Sequence, residues 1–404
     1  YQQGDHKNAS TPLWEVARDT ASSEDLQVAS LELLVWVERG AGRPPLAVAA
    51  YRAFAARSKD EARVLAAARI ADAALEESGD IEARGTLWRE VGAQLTEPAS
   101  VAAVAVEEGF LFLDAGKVEE ATKSMISASD AQPESPAVAE LAFFVGEAYF
   151  GAGADERAAT LFAAASRTGS PEVAERALYK GGFAELRRGR TAEATSAFVE
   201  LVERFPTSAL APESMFLAGE ACYRAGDDEG ACTWLRRMTK EAPQHASRPK
   251  ALFRLGLAEG RLGNWRACAD ALAELIAKTP EFSSLAEAEL WRGRALSRLD
   301  ERRAARQSLG RVVQADEGLL AAQARIELGR LFEAENDDES AIAEYLKVAV
   351  LYGHAEECAE ALVRAGDVLG RSGKKGAAVE RYREAVDDYP KTAWAAEAAK
   401  RLKR

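Results

Sequence analysis

Two periodic rows of side chains are the residues of this chain best suited to binding chemistry. Arginines recur every 37 residues, at Arg187, Arg224, Arg261 and Arg298. Aromatic residues recur every 36 or 37 residues, at Phe143, Tyr179, Phe216 and Phe253. Arginine forms charge-assisted hydrogen bonds with carboxylates, and aromatic rings supply apolar contact area. Together the rows predict a groove that binds an acidic segment or the C-terminal carboxylate of a protein or peptide partner.

Both rows also admit a purely structural interpretation. Aromatic side chains at this spacing suit the core between repeats. An arginine in the last turn of a helix is favoured by the helix dipole whether or not a ligand is present. The sequence alone leaves both interpretations open.

Catalytic and metal-binding patterns are absent from the sequence. The three histidines, His6, His245 and His354, show neither an HExxH pattern nor metal-ligand spacing with a cysteine pair. No nucleophile-elbow, nucleotide-binding or dinucleotide-binding glycine motif occurs. The acidic run from Glu333 to Glu339 crosses a turn, which favours a solvated loop over a calcium site. We therefore predict no enzyme activity, no cofactor and no bound metal.

Composition restricts the partners further. The 404 residues carry a net charge of −13, which argues against non-specific binding to nucleic acid or to anionic membranes. No run of about 18 apolar residues occurs, so no transmembrane segment is predicted. The four cysteines do not indicate a disulfide framework in a chain of this length.

The elements that must position the two rows are indicated by a row of glycines. They recur every 36 or 37 residues, at Gly109, Gly146, Gly182, Gly219, Gly256, Gly293, Gly329 and Gly366. Each is followed twelve residues later by a small residue and sixteen residues later by a large one. Glycine inside a helix costs about 1 kcal/mol relative to alanine. A glycine kept in phase eight times therefore predicts a helix contact in which a Cβ would collide with the partner helix.

A second row marks the turn between the two helices of each repeat. Seven residues after each glycine stands a residue that tolerates positive φ, at Gly116, Gly153, Gly189, Gly226, Gly263, Asp300, Asn336 and Gly373. Gly42 and Gly79 continue this row toward the N-terminus. The repeat unit is therefore a helical hairpin.

Small residues at repeat positions 8 and 20, a large residue at 24 and a proline at 32 resemble the tetratricopeptide repeat (TPR). The resemblance covers eight consecutive units, with a unit of 36 or 37 residues rather than 34. It implies an all-α fold: a right-handed superhelical solenoid of about ten antiparallel helix hairpins, closed by a C-terminal capping helix. It also implies that the first helix of each hairpin lines the concave surface.

The repeat template divides the chain into four parts. Residues 1–27 hold a polar segment and the second helix of a truncated repeat. Residues 28–100 hold two degenerate repeats, and residues 101–390 hold eight regular ones. Residues 391–404 hold the capping helix.

The degenerate repeats keep part of the template. Trp14, Tyr51 and Trp88 continue the row of large residues at a spacing of 37. Val35 and Asp72 stand where the glycine row would continue, and we expect looser helix contact there.

The function that follows from the resemblance is a non-catalytic protein-interaction scaffold within a multiprotein complex. The segments FPTSALAPE at 205–213 and YPKTAWAAEAAKRL at 389–402 resemble longer repeats of bacterial cell-envelope TPR proteins, including the Tol-Pal coordinator and the outer-membrane assembly lipoprotein. This narrower likeness implies the periplasm or cell envelope, with the cytoplasm as the alternative. An alternative function is that of a targeting or regulatory module of a larger enzyme, such as a kinase or transferase, whose catalytic domain lies outside this chain.

Overall fold

The computed structural model describes residues 6–403, and every regular element within them is an α-helix. The helices form ten successive hairpins, with one helix before the first hairpin and one after the last. This arrangement confirms the predicted all-α repeat fold. Residues 1–5 of the predicted polar segment and Arg404 of the predicted C-terminal part lie outside the described residues.

The chain divides into two compact units after Ser208. The first unit contains a leading helix and five hairpins: α1 (His6–Arg18), α2 (Glu24–Gly40), α3 (Pro44–Ala55), α4 (Glu61–Glu77), α5 (Ile81–Gly92), α6 (Pro98–Asp114), α7 (Val118–Ala131), α8 (Pro136–Gly151), α9 (Asp155–Thr168), α10 (Pro171–Arg187) and α11 (Thr191–Arg204).

The second unit contains five hairpins and a final helix: α12 (Ala211–Ala225), α13 (Asp228–Glu241), α14 (Arg248–Arg261), α15 (Trp265–Lys278), α16 (Leu285–Arg298), α17 (Arg302–Ala315), α18 (Leu319–Ala334), α19 (Asp338–Leu351), α20 (Ala355–Arg371), α21 (Lys375–Asp388) and α22 (Ala393–Leu402). Within each unit every helix packs against the next in the chain, and the first helices of neighbouring hairpins also touch. The first helices therefore form a continuous layer in each unit.

The predicted turn residues adopt positive φ in all ten hairpins. Gly226, for example, has a φ of 81° at the end of α12, and an added Cβ there would meet nothing within 4 Å. The left-handed backbone conformation, rather than a lack of space, therefore favours glycine at this turn. Asp300 and Asn336 fill the same position with φ of 60° and 58°, because their short polar side chains tolerate this region.

The glycines of the predicted row lie where the two helices of a hairpin approach most closely. A Cβ added at Gly256 would lie 2.5 Å from Cγ of Leu272, the large residue sixteen positions later. Six other glycines of the row face the large residue of their own hairpin in the same way. Gly109 differs, because its added Cβ would meet Leu141 of α8, in the next hairpin. The glycine row thus allows a bulky side chain of a neighbouring helix to fill the space of the absent Cβ.

The second degenerate repeat replaces this contact with an ion pair. Arg84 stands at the position of the small residue and binds both carboxylate oxygens of Asp72 at 2.9 Å. The two side chains are only 14% and 11% exposed. Helices α4 and α5 pack less extensively than the two helices of any other hairpin, which confirms the expectation of looser contact at Asp72, and the guanidinium of Arg84 lies in their interface.

A buried carboxylate joins the leading helix to the first hairpin. Glu38 of α2 is fully buried and accepts hydrogen bonds from Ser10 at 2.5 Å and from the indole nitrogen of Trp14 at 3.0 Å. Nε of Arg43 lies 2.8 Å from the same carboxylate. Helix α1 begins at His6 and lies within the part of the chain predicted to hold the second helix of a truncated repeat.

The final helix is joined to α20 by a second ion pair. Arg401 donates to both carboxylate oxygens of Asp367, at 2.6 and 3.0 Å.

None of the helices within residues 6–403 combines the length and the apolar character needed to span a bilayer.

Candidate functional site

A network of arginines and glutamates links three first helices of the second unit. We call it the ion-pair ladder, and it consists of Arg294 on α16, Glu327 and Arg330 on α18, and Glu360 and Arg364 on α20. Residues three or four positions apart share one face of a helix, which places both charged residues of α18, and both of α20, on the same side. The ladder therefore runs across the first-helix layer from one repeat to the next.

Each glutamate of the ladder is shared by two arginines. Glu327 lies 3.3 Å from Arg294 and accepts from Arg330 at 2.9 Å. Glu360 accepts from Arg330 and from Arg364, both at 2.7 Å. Burial alone would lower the pKa of the Arg330 guanidinium, but Glu327 and Glu360 outweigh burial and raise it. Arg330 is therefore held as a cation between two carboxylates.

A cavity of about 480 Å³ opens beside the ladder. Its lining consists of Ser297, Arg298, Glu327, Arg330, Leu331, Ala334 and Arg364. Arg298 lies 5.6 Å from the ring of Trp265 and has no carboxylate partner among residues 6–403. Three guanidinium groups thus line a cavity that contains a single carboxylate, and this arrangement favours an anionic ligand.

Most of the predicted arginine row contacts the preceding repeat. Arg187 lies 4.4 Å from the ring of Phe150 and 3.3 Å from Asp155. Arg261 lies 4.0 Å from the ring of Tyr223 and 3.3 Å from Asp228. These two arginines therefore connect adjacent hairpins within their own units.

Arg224 behaves differently from Arg187 and Arg261. Its Nε donates to Glu220, at 2.9 Å and four residues earlier on the same helix, and its side chain is 72% exposed. Among the four arginines of the predicted row, Arg298 lines the cavity and Arg224 projects into solvent.

The predicted aromatic row faces inward. Phe143 and Phe253 are 0% and 5% exposed, which leaves them no surface to offer a ligand. Tyr179 is half-buried and packs 6.2 Å from Phe198 of the second helix, and Phe216 is also half-buried. The side chains of this row therefore contribute chiefly to the hairpin interior.

The aromatic residues nearer the surface of the first unit lie at other positions. We call Phe110, Phe144, Phe150 and Phe183 the aromatic patch. Phe110 and Phe144 meet edge to face at 5.8 Å. The patch lies on α6, α8 and α10, and all four rings are partly buried.

Several residues of the site were not predicted from the sequence. Arg294 and Arg330 stand one position after a glycine of the row, and Arg364 stands two positions before one. These positions carry different residue types in different repeats, so no periodic row of one type marks them. In the second half of the chain these positions carry mostly charged residues, and counting those charges would have indicated the site residues.

The cysteines provide no reactive site. None of the four forms a disulfide, and all four are buried. Burial raises the pKa of the Cys232 and Cys268 thiols to about 12, and Glu259 adds to this shift. Residues 6–403 contain no group of three or more histidine, cysteine or acidic side chains that could hold a metal ion.

Comparison with known families gives matches along most of the regular repeats. One model described as tetratricopeptide repeat matches residues 107–172, 179–246 and 290–361, just over half of the chain. A second model with the same description matches residues 250–281 and 360–392. No curated protein matches the chain.

Solved structures with similarity to the chain include three repeat proteins. MamA is 21% identical with a TM-score of 0.38, covering 45% of this chain and 96% of its own. YrrB, described as a TPR protein with an unusual peptide-binding site, is 16% identical with a TM-score of 0.37, covering 47% and 91%. A tetratricopeptide repeat protein from Parabacteroides merdae is 17% identical with a TM-score of 0.33, covering 65% and 98%.

Proposed function

Because the chain belongs to the tetratricopeptide repeat family, whose stacked hairpins form extended interaction surfaces, we propose that it is a non-catalytic scaffold for an acidic partner. The partner is a protein or peptide that presents an acidic segment or a C-terminal carboxylate. The proposed binding surface is the ion-pair ladder together with Arg298, in the first-helix layer of the second unit.

The observation that carries this proposal is the composition of the 480 Å³ cavity. Arg298, Arg330 and Arg364 line it together with one carboxylate, that of Glu327. A ligand carboxylate can accept hydrogen bonds from Arg298 without breaking an existing ion pair. Arg330 and Arg364 are already oriented by Glu360, so little side-chain freedom is lost when the ligand binds.

The charge of the second unit permits such a partner. Residues 209–404 contain 32 acidic and 31 basic side chains, a net charge of −1. The field within a cavity is set by its nearby charges rather than by the net charge of the whole chain. An acidic segment therefore meets attraction at the ladder although the chain as a whole is acidic.

The test uses two synthetic twelve-residue peptides with the full chain. One alternates glutamate and alanine and ends in a free carboxylate, and its control replaces every glutamate with glutamine and is amidated. We expect binding of the acidic peptide alone, with affinity that falls as salt is added. Binding of both peptides with equal affinity, or of neither, would reject the proposal.

Two matched variants locate the site. Arg298→Glu should weaken binding of the acidic peptide at least tenfold, or about 1.4 kcal/mol. Arg224→Glu makes the same charge change at an exposed position outside the cavity and should change the affinity less than twofold. Equal weakening by the two variants would show that overall charge, rather than the cavity, attracts the peptide.

We also propose a periplasmic or cell-envelope location in a bacterium, within a multiprotein complex. The support is the likeness of segments 205–213 and 389–402 to repeats of bacterial cell-envelope TPR proteins. Fractionation of the native source followed by immunodetection tests the location. Recovery of the protein from the cytoplasmic fraction alone would reject it.

A further inference from the structure

A groove lies between α5 and α6 in the first unit, whereas the ion-pair ladder belongs to the second unit. Its volume is about 670 Å³, and its lining consists of Ile81, Glu82, Gly85, Arg89, Glu108, Leu111, Phe112, Ala115 and Lys117. The residues from α5 recur at intervals of about four, and those from α6 at intervals of three or four, so each set forms one helix face. The groove is therefore bounded by two adjacent helices.

The floor and one edge of this groove are apolar. Leu111 is buried at the floor, Phe112 is half-buried, and Ile81 is 49% exposed at the edge. A Cβ added at Gly85 would meet only Cδ2 of Leu111, at 3.6 Å, which is an ordinary van der Waals distance. The absent side chain of Gly85 thus leaves open space above Leu111.

Glu108 is the unusual group in the groove. Its carboxylate has no hydrogen bond or ion pair among residues 6–403, although the residue is only partly exposed. Burial raises its pKa, and the charge of Arg89 acts in the opposite direction. A carboxylate that loses water without gaining a partner is unfavourable in the unbound protein.

The two cations at the rim do not satisfy Glu108. Arg89 donates to the backbone oxygen of Gly85 and to Oγ1 of Thr86, both at 3.1 Å. Lys117 is exposed, and no ion pair joins it to Glu108 within the described chain. A cation supplied by a ligand would therefore find an unpaired carboxylate next to apolar surface.

From this geometry we propose that the groove between α5 and α6 binds a basic amphipathic segment of a partner protein. An apolar side chain of the segment occupies the space above Leu111 that Gly85 leaves open. A lysine or arginine of the same segment pairs with Glu108. This site is independent of the ladder, because it lies in the other unit and selects a ligand of opposite charge.

The charge of the first unit supports a cationic occupant. Residues 1–208 contain 33 acidic and 21 basic side chains, a net charge of −12. Such an excess attracts cationic ligands over a distance of about one Debye length, roughly 8 Å at physiological salt. The unpaired Glu108 then determines where on the unit the cation is bound.

The first experiment separates the groove from this general attraction. The probe is a labelled, amidated fourteen-residue peptide of leucine and lysine, patterned to place leucine on one helix face, and binding to the full chain is followed by fluorescence anisotropy. Glu108→Gln should weaken binding at least tenfold. Glu120→Gln removes the same charge from an exposed carboxylate on α7 that has no ion pair, and should change the affinity less than twofold.

The second experiment fills the groove. Gly85→Leu should abolish binding of the peptide, while the melting temperature stays equal or rises because a helix-interior glycine is removed. Loss of binding together with a retained melting temperature supports the site.

Three results would overturn the proposal. The peptide could fail to bind the parent chain, or Glu108→Gln and Glu120→Gln could weaken binding equally, which would indicate net charge alone. Unchanged binding by a folded Gly85→Leu variant would place the peptide elsewhere. If Gly85→Leu does not fold, the pair of glutamine variants still decides between the groove and net charge.

Discussion

The first unit has a net charge of −12 and the second a net charge of −1, so nearly all of the acidity of the chain lies in residues 1–208. The first-helix layers differ as well. In the first unit, α6, α8 and α10 carry the aromatic patch. In the second unit, α16, α18 and α20 carry the ion-pair ladder. Two units built from one repeat therefore present surfaces of different chemistry.

What the units share is the close contact inside a hairpin, which occurs in two hairpins of the first unit and in all five of the second. A Cβ added at Gly182 would lie 2.6 Å from the ring of Phe198, and one added at Gly293 would lie 2.7 Å from Leu309. The first contact lies in the first unit, and the second contact lies in the second unit. The repeat thus constrains the hairpin interior and leaves the remaining first-helix positions free to differ between the two units.

The largest effect should come from breaking the shared contact. Gly256→Leu forces a side chain into space held by the fully buried Leu272, and overpacking of this kind costs about 3 kcal/mol, the upper end of its usual range. Gly182→Leu should lower stability comparably in the first unit. Thermal melting followed by circular dichroism measures both.

Gly85→Leu is the matched control for these two variants. It makes the same substitution inside a helix of the first unit, where an added Cβ meets an ordinary contact distance. It should melt at or above the temperature of the parent. If Gly256→Leu and Gly85→Leu melted alike, the close-contact interpretation of the glycine row would have to be abandoned.

How much the sequence predicts depends on whether a position is constrained by the backbone. The turn row was predictable, because only a few residue types adopt the positive φ seen at Gly226 and Asn336. The ladder was not, because the requirement at Arg330 is a charge opposite to that of residues on neighbouring helices. A pairing between helices leaves no periodic row of one residue type in the sequence.

The second degenerate repeat also contains a pairing between helices that the sequence pattern does not reveal. Asp72 interrupts the glycine row, and the sequence alone suggested only a weaker contact. The ion-pair partner of Asp72 is Arg84, twelve residues later, at a position where the other repeats use a small residue. Two departures from the pattern therefore form an ion pair with each other, and only the packing of α4 against α5 reveals this pairing.

The next largest loss of stability should come from breaking the ion pair that distinguishes this hairpin from the regular ones. Asp72→Ala leaves the largely buried Arg84 with Glu76 alone, at 3.4 Å, and should destabilise the first unit by about 2 kcal/mol, less than for a wholly unpaired buried charge. The double variant Asp72→Ala with Arg84→Ala should be less destabilised than the sum of the single variants. Additive losses in chemical denaturation would show that the two side chains act independently.

A smaller effect separates two members of the arginine row. Arg261→Glu removes a cation from the face of Tyr223 and places a carboxylate near Asp228, which should cost about 1 kcal/mol. Arg224→Glu loses only an exposed pair within one helix, and should cost under about 0.5 kcal/mol because Glu220 keeps its bond with Arg254 at 2.7 Å. Equal melting temperatures for the two variants would contradict the assignment of Arg261 to the contact between hairpins.

A further small effect on stability depends on pH and concerns the carboxylate of Glu108 in the first unit. Burial raises the pKa of Glu108 in the folded state above the value of about 4.3 expected in the unfolded chain. A raised folded-state pKa contributes stability that is fully present below the unfolded value and is lost as pH rises through the folded value. At pH 7 the ionised carboxylate therefore weakens the fold, and Glu108→Gln should raise the melting temperature by an amount equivalent to less than about 1 kcal/mol, since the group keeps part of its solvent contact. The advantage of the variant should shrink as pH falls toward 4, where the parent is protonated as well.

Glu120→Gln, measured in parallel, reports what the loss of one negative charge contributes to an acidic unit. An advantage of Glu108→Gln that matched that of Glu120→Gln at every pH would show that Glu108 is solvated like any surface carboxylate, and the groove between α5 and α6 would then lack the group proposed to select a cation.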